Sequence, residues 1–208
     1  MAQRSTKQIL NDAEETLATA KAGVEDVVGT RPERRLSGLR NLIVFGRAVT
    51  NVLQNLRATE STFDEWYEPY VTEMRNDPLL KYLYECRSEI LKEGKVRTGV
   101  KMHIESFSFP LDMAKFGPAP RNAKGFFMGD ANGGTGWEVA LGDGSIVKYY
   151  VAFPDDIGEI EVLLGGAPTE HVGGSLRDTR IETVCSAYYT YLAGVVASAR
   201  ARFGSLAN

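Results

Sequence analysis

The hydrophobic positions of this chain change period twice. Up to about Gly94 they recur at helical spacing. From Val96 to Gly174 they alternate or cluster between glycine-rich turns, and from Ser175 to about Phe203 the helical spacing returns. Helices on both sides of a strand-rich middle predict one bundle closed around an insertion. The expected class is α+β: a bundle of four to five helices with a small antiparallel β insertion before the last helix. Residues 1–95 would form the first part of the bundle, 96–174 the insertion and 175–208 the closing helix of a single domain.

The first helix is predicted over Thr6–Val28, with Ile9, Ala13, Leu17, Ala20 and Val24 as its apolar stripe and Gly29 as its stop. Thr30 and Glu33 have capping-box spacing, and Pro32 suits a first turn, so a second helix starts there. Leu36, Leu39, Ile43, Gly46, Thr50 and Leu53 make its seam. Leu42, Phe45, Val49, Val52 and Leu56 widen that seam so far that this helix should be central. Gly46 either permits close helix approach or is a tolerated cost of roughly 1 kcal/mol relative to alanine. Thr62 and Glu65 repeat the capping spacing before Trp66, Tyr67 and Tyr70, and Pro69 should end or kink that helix. Asp77 as N-cap and Pro78 at the first position begin another helix, which carries Leu79, Leu83, Cys86 and Ile90 on one line and stops at Gly94.

In the middle, Val100, Met102 and Ile104 alternate with Lys101, His103 and Glu105, as in a half-buried strand. GFFM, WEVAL, SIVKYYVAF and EIEVLL are further strands, with Gly142-Asp143-Gly144 as a tight hairpin turn. A small antiparallel sheet of four or five strands is expected, followed by a flexible exit, GGAPTEHVGG. One sheet and two hairpins both fit the pattern. Ser175 and Asp178 would cap the last helix, whose broad apolar face includes Ile181, Val184, Tyr188, Leu192 and Val196.

Composition narrows the class. A chain of 208 residues with 43% hydrophobic and 25% charged residues can bury a sizeable core. Its net charge of -3 gives no general attraction to nucleic acid or acidic membranes. The N-terminus has no apolar run suited to a signal peptide, and no stretch approaches the roughly 20 apolar residues of a membrane span. The expected location is the cytoplasm of a microbial cell. Cys86 and Cys185 fall in predicted helices and read as reduced, partly buried thiols, or as a redox pair if the helices adjoin.

Catalytic constellations are sparse. His103 and His171 are the two histidines, and no HExxH, CxxC or paired-histidine motif accompanies them, so neither a metal nor a cofactor is expected. The run GDANGGTGW, Gly129 to Trp137, lacks the Lys-Ser/Thr of a phosphate loop and leads into a strand, so its glycines read as turn residues. Asp130, Asp143, Asp155, Asp156 and Glu159 read as solvated loop acids, with a hard-cation site as the alternative. Arg87 flanks the apolar face of its helix among Glu85, Ser88, Glu89 and Lys92. Arg40 and Arg47 lie with Asn51 and Gln54 on the polar stripe of the central helix. Arg40, Arg47 and Arg87 could bind a phosphate or serve as structural ion-pair partners between helices.

The segment PLLKYLYECRSEILKEG, with Leu36 to Leu56 before it, resembles the arginine-bearing helix of HEPN-type domains. These are helical bundles of microbial toxins, RNA-cleaving defence proteins and nucleotide-binding partners. Active members carry Arg, a polar residue, a short spacer and His. Arg87 and Ser88 match the first two positions, Lys92 stands where the histidine would be, and His103 is too distant. The resemblance implies a non-enzymatic interaction or assembly protein of a microbial defence or stress system, acting as a homodimer or with a protein partner. The alternative it implies is an RNA-cleaving toxin or defence nuclease, with Arg87 on the phosphate and Lys92, Glu85 or Glu89 replacing histidine. A third reading is a small-ligand-binding module. The β insertion would lid its pocket, lined by Phe107, Phe109, Phe126, Phe127 and Trp137. Trp66, Tyr67 and Tyr70, with Tyr82 and Tyr84 nearby, suit either an interface or a core.

Overall fold

The computed structural model describes residues 4–204. Helix α1 spans Thr6–Val28 and opens on a reciprocal capping box between Ser5 and Gln8. Helix α2, Pro32–Leu53, starts without the capping box expected from Thr30 and Glu33. Its N-cap is Arg31, which makes no side-chain capping bond, and Pro32 sets the first turn. A 3-10 turn, Gln54–Ala58, takes over Leu56. Helix α3 is Phe63–Asn76, and Thr62 caps it without a side-chain hydrogen bond. Pro69 neither ends nor breaks α3. It removes one backbone hydrogen bond, but on an exposed side of the helix, where solvent can take up the freed carbonyl.

Helix α4, Pro78–Glu93, is built as its sequence predicts. The Asp77 carboxylate accepts the Leu80 N–H at 2.7 Å, and Gly94 closes the helix in the left-handed region at φ 68. Helix α5, Ile181–Phe203, starts later than expected. Ser175 lies instead in a short strand, and Arg180 bridges to Leu163. The Leu164 N–H donates to the Thr179 carbonyl at 2.9 Å. A neighbouring strand thus takes the backbone bonds that the local cap signal would have given to a helix.

The middle holds three small antiparallel sheets rather than one of four or five strands. Strand β1, Thr98–Ile104, pairs with β5, Gly158–Leu164. Strands β2 (Ala123–Phe127), β3 (Thr135–Ala140) and β4 (Ile146–Val151) form a meander. Strands β6 (Glu170–His171) and β7 (Gly174–Ser175) make a short hairpin within the predicted flexible exit.

Two helix crossings depend on missing side chains. A Cβ on Gly23 of α1 would stand 2.6 Å from the Gly38 carbonyl oxygen of α2, and one on Gly38 would stand 2.6 Å from that of Gly23. A Cβ on Gly46 would meet the Tyr188 ring at 2.5 Å, so this glycine does permit close approach of α2 and α5. The core has two centres. Around one, Leu39, Leu42, Ile43, Leu83, Val184 and Leu192 pack with Val162 and Leu164, so β5 is part of the bundle's interior. Around the other, Ile9, Leu10, Leu53, Phe63, Val196 and Phe203 close the far end. Cys86 and Cys185 are free, buried thiols in the first centre, and burial pushes both above the ordinary thiol range. Among the described residues no helix is long and apolar enough to cross a membrane.

Candidate functional site

Helices α2, α3, α4 and α5 leave a cavity of about 600 Å³ between them. Helical spacing explains its walls. Arg47 and Thr50 come from one face of α2, and Gln54, the first residue of the 3-10 turn, continues that face. Tyr67, Val71 and Met74 come from one face of α3, with Glu68 and Arg75 beside them. Helix α4 contributes Leu80, Lys81, Leu83, Tyr84 and Glu85. Tyr188, Tyr191 and Leu192 of α5 complete the wall, and Arg57 stands at the end of α2's 3-10 extension. Asp77, extended at ψ 121, breaks the run between α3 and α4 at this place.

The polar groups of the cavity are unevenly satisfied. An Arg47 Nη donates a short hydrogen bond to the Thr50 hydroxyl, and its guanidinium carbon lies 5.9 Å from the centroid of the Tyr84 ring. Tyr67 is 3% exposed, and its buried hydroxyl makes no well-formed hydrogen bond, although polar groups stand within reach of it. Arg47, Thr50 and Gln54 lie beside that hydroxyl. The Tyr191 hydroxyl is buried as well, with the Glu73 carboxylate near it but no well-formed hydrogen bond. Burial pushes the phenols of Tyr67, Tyr188 and Tyr191 above the ordinary range, so at neutral pH they carry their protons and can donate. Of the lining cations, Arg57 is paired with Asp64 at 2.7 Å. Arg47, Arg75 and Lys81 form no ion pair among the described residues.

Of the residues singled out from sequence, Arg47 and Glu85 line this cavity. Arg87 does not line it. Its Nε is buried and unpartnered, it makes no ion pair among the described residues, and its charge reaches Tyr188. Arg40 is half-buried outside the cavity, with its Nε also unpartnered. Glu89 is engaged in a short ion pair with Arg97, Ser88 bonds back to the Tyr84 carbonyl at 3.2 Å, and Lys92 is exposed. The four catalytic candidates therefore do not gather in one cleft: Glu85 faces the cavity, while Glu89 and Lys92 are elsewhere on α4.

The aromatic residues expected to line a lidded pocket pack on one another instead. Phe126 meets Phe116 at 4.9 Å and Trp137 at 4.8 Å between ring centroids, and Phe107 and Phe153 close on Phe116. Phe127 lies edge-on to Tyr150, and Phe109 is 76% exposed. By contrast Trp66 and Tyr67 belong to a core stack with Phe63 and Phe203, and Tyr84 is exposed.

Two buried carboxylates do more than their sequence signals implied, since Asp77 was legible only as the α4 cap and Asp130 only as a loop acid. Asp130 accepts from Lys148 Nζ at 2.7 Å, Tyr150 Oη at 2.7 Å and the N–H groups of Asn132 at 3.0 Å and Gly134 at 2.9 Å. Desolvation works to raise its pKa, but these bonds outweigh it and hold the carboxyl below the usual carboxylate range. Arg35 of α2 donates to the carbonyls of Asn132 and Gly133 at 3.2 and 3.3 Å, which ties this turn to the bundle. Asp77 caps α4, accepts the Val172 N–H at 2.6 Å and faces His171 Nδ1 at 3.2 Å; the His171 ring stands edge-on to Tyr191. Of the remaining loop acids, Asp143 is engaged with Ser145, Asp156 with Lys115 and Glu159 with Arg180, while Asp155 is exposed and solvated. Among the described residues no group of three His, Cys, Asp or Glu could hold a metal ion.

Residues 30–109, less than half of the chain, match the family model described as bacteriophage lambda protein ea47. This overturns the HEPN resemblance, because Arg87 and Ser88 fall inside the segment that the other family accounts for. The physical reason is that a two-residue motif on an amphipathic helix is too short to separate one helical family from another. The matched segment runs from before α2 to just beyond β1, so it contains the α2, α3 and α4 walls of the cavity but not the α5 wall. No curated protein and no solved structure matches the chain.

Proposed function

We propose that this chain is a small-ligand-binding protein whose site is the cavity between α2, α3, α4 and α5. The observation that carries the reading is the buried Tyr67 hydroxyl, without a well-formed hydrogen bond, beside the Arg47–Thr50 pair, at the wall of a cavity of about 600 Å³. Ligand sites are commonly clefts of about 300–1,000 Å³ with mostly apolar walls and a few converging polar groups. Val71, Met74, Leu80, Leu83 and Leu192 supply such walls here. Leaving a phenol hydroxyl buried without a well-formed hydrogen bond costs on the order of 1–3 kcal/mol, a cost that a bound polar group would remove once a small shift of the surrounding wall exposed the hydroxyl.

A thermal-shift screen of the full chain against a metabolite library tests this. A ligand that binds the native state alone raises apparent stability, by about 2.7 kcal/mol at a concentration of one hundred times its Kd. Met74→Trp, which places a bulky ring in the cavity, should abolish that shift while the helical circular dichroism is unchanged. No stabilising compound, or a shift that persists in Met74→Trp, would overturn the proposal.

A second reading, an interaction or assembly protein, is favoured by a different observation. Phe109, Leu111 and Ile146 are 76%, 81% and 60% exposed in the strand-rich region. Light scattering across a concentration series tests it; a constant monomeric mass up to millimolar concentration would count against it.

A further inference from the structure

We infer that the cavity selects a small anion bearing a flat ring, a chemistry shared by mononucleotides and aromatic carboxylates. The inference rests on the ligand-binding reading above. Three features of the lining point to it together.

The first is charge. Arg47, Arg57, Arg75 and Lys81 line the cavity against two acids, Glu68 and Glu85. Asp64 neutralises Arg57, and the other three cations have no carboxylate partner among the described residues. The cavity therefore presents an excess of positive charge although the chain as a whole carries -3. A guanidinium held beside a low-dielectric wall pairs with carboxylate or phosphate oxygens more strongly than one in open water.

The second feature is flat, apolar surface. Tyr84 is 56% exposed with its ring against Arg47, and Val71, Met74 and Leu80 stand across the same space. A ring entering there can stack on the Tyr84 face or on the guanidinium plane, which a branched aliphatic ligand cannot do. The third is the donor set at the inner wall. The Tyr67 hydroxyl makes no well-formed hydrogen bond, and Arg47, Thr50 and Gln54 surround it. Tyr67, Arg47 and Gln54 have protons to donate to a ligand oxygen, whereas Thr50 already gives its one proton to the Arg47 carbonyl, and none of the four carries a negative charge that would repel an anion.

The test is calorimetric titration of the full chain with four probes: adenosine monophosphate, 4-hydroxybenzoate, adenosine and glycerol 3-phosphate. Binding of either ring-bearing anion is expected, with adenosine and glycerol 3-phosphate at least about tenfold weaker. Which of the two anions binds distinguishes the nucleotide source from the carboxylate source. Lys81→Ala and Arg75→Ala alter exposed side chains, so both variants should fold, and each should weaken the bound anion at least about threefold. Raising the salt concentration should weaken it further. Three outcomes overturn the inference: adenosine binding as tightly as its monophosphate, unchanged affinity in both variants, or no binding by either anion. Failure of the wider ligand-binding reading is separable from these. It would appear as the absence of any library compound whose stabilising effect Met74→Trp removes, whereas an uncharged ligand lost in Met74→Trp would sink the anion inference alone.

Discussion

The helical bundle and the strand-rich segment between α4 and α5 are held by different physics. The bundle is an apolar interior spread over two centres and closed by glycine-mediated crossings of α1 with α2 and α2 with α5. The strand-rich segment carries much of its apolar surface on the outside: Met102, Ile104, Ile146, Val147 and Tyr149 are all at least 40% exposed. Apart from the aromatic cluster on Phe116 and the β5 side chains Val162 and Leu164 that enter the bundle core, what fixes it is a small number of buried polar anchors, Asp130 with its four donors, Arg35 on the turn carbonyls and Asp77 on Val172. Area-driven burial distributes stability over many residues, whereas anchor-driven order concentrates it in a few. The two regions should therefore respond oppositely to truncation of an apolar and of a polar side chain.

The largest expected effect is in the bundle. Phe63 is fully buried and stacks on Tyr67 at 5.1 Å between ring centroids. Phe63→Ala should cost about 3–5 kcal/mol, since the emptied ring volume is only partly refilled. Urea unfolding followed by circular dichroism measures it. A loss under about 1 kcal/mol would mean that this end of the bundle can collapse onto the gap, and the contrast between the regions would narrow.

This contrast also separates what was legible in the sequence from what was not. The bundle's elements announce themselves locally: the α1 stripe ends at Gly29, and Asp77-Pro78 and Gly94 bracket α4. The strands were legible one at a time, but their partners were not, because β1 pairs with β5 across more than fifty intervening residues, and no period encodes that. The start of α5 was misplaced for the same reason. Ser175 and Asp178 have the right spacing for a cap, yet Leu163 and Leu164 claim the backbone nearby. The cavity is legible only in part. Arg47 was legible, with Arg40, on the polar stripe of the central helix, while the gap beneath it is a property of four helices together.

Asp77→Ala addresses the join between the regions. It removes the α4 cap, worth about 1 kcal/mol, and strips the acceptor from the Val172 N–H, which adds a cost of similar or larger size. A total near 2–3 kcal/mol is expected, with loss of amide-exchange protection concentrated at Val172 and Leu80. Asp77→Asn should retain the cap and lose less. If protection is lost evenly over the whole chain instead, Asp77 belongs energetically to the bundle and not to the join.

A smaller effect is expected at Asp130. Its carboxyl titrates below its unfolded value, so the ionised form is favoured by folding. The stability it contributes is full above the unfolded carboxylate pKa of about 3.9 and is lost as pH falls through the lower folded value. Asp130→Asn should cost about 1–2 kcal/mol at neutral pH and flatten the acid limb of stability below about pH 4. The urea midpoint of both proteins, taken from pH 6 downward, checks the sign. An unchanged acid limb would show that Lys148 and Tyr150 do not discriminate the ionised form.

The smallest effect should come from the apolar exterior of the strands. Ile146 is 60% exposed at the start of β4, so Ile146→Thr removes little buried area and keeps a β-branched side chain suited to a strand. Its expected cost to monomer stability is within about 0.5 kcal/mol. That near-neutrality makes the variant informative about assembly, since it changes an outward apolar side chain without disturbing the fold. If the protein associates through this surface, Ile146→Thr should lower its mass by light scattering at fixed concentration while the urea midpoint of the monomer hardly moves. A stability loss of several kcal/mol would instead show that Ile146 is covered in solution.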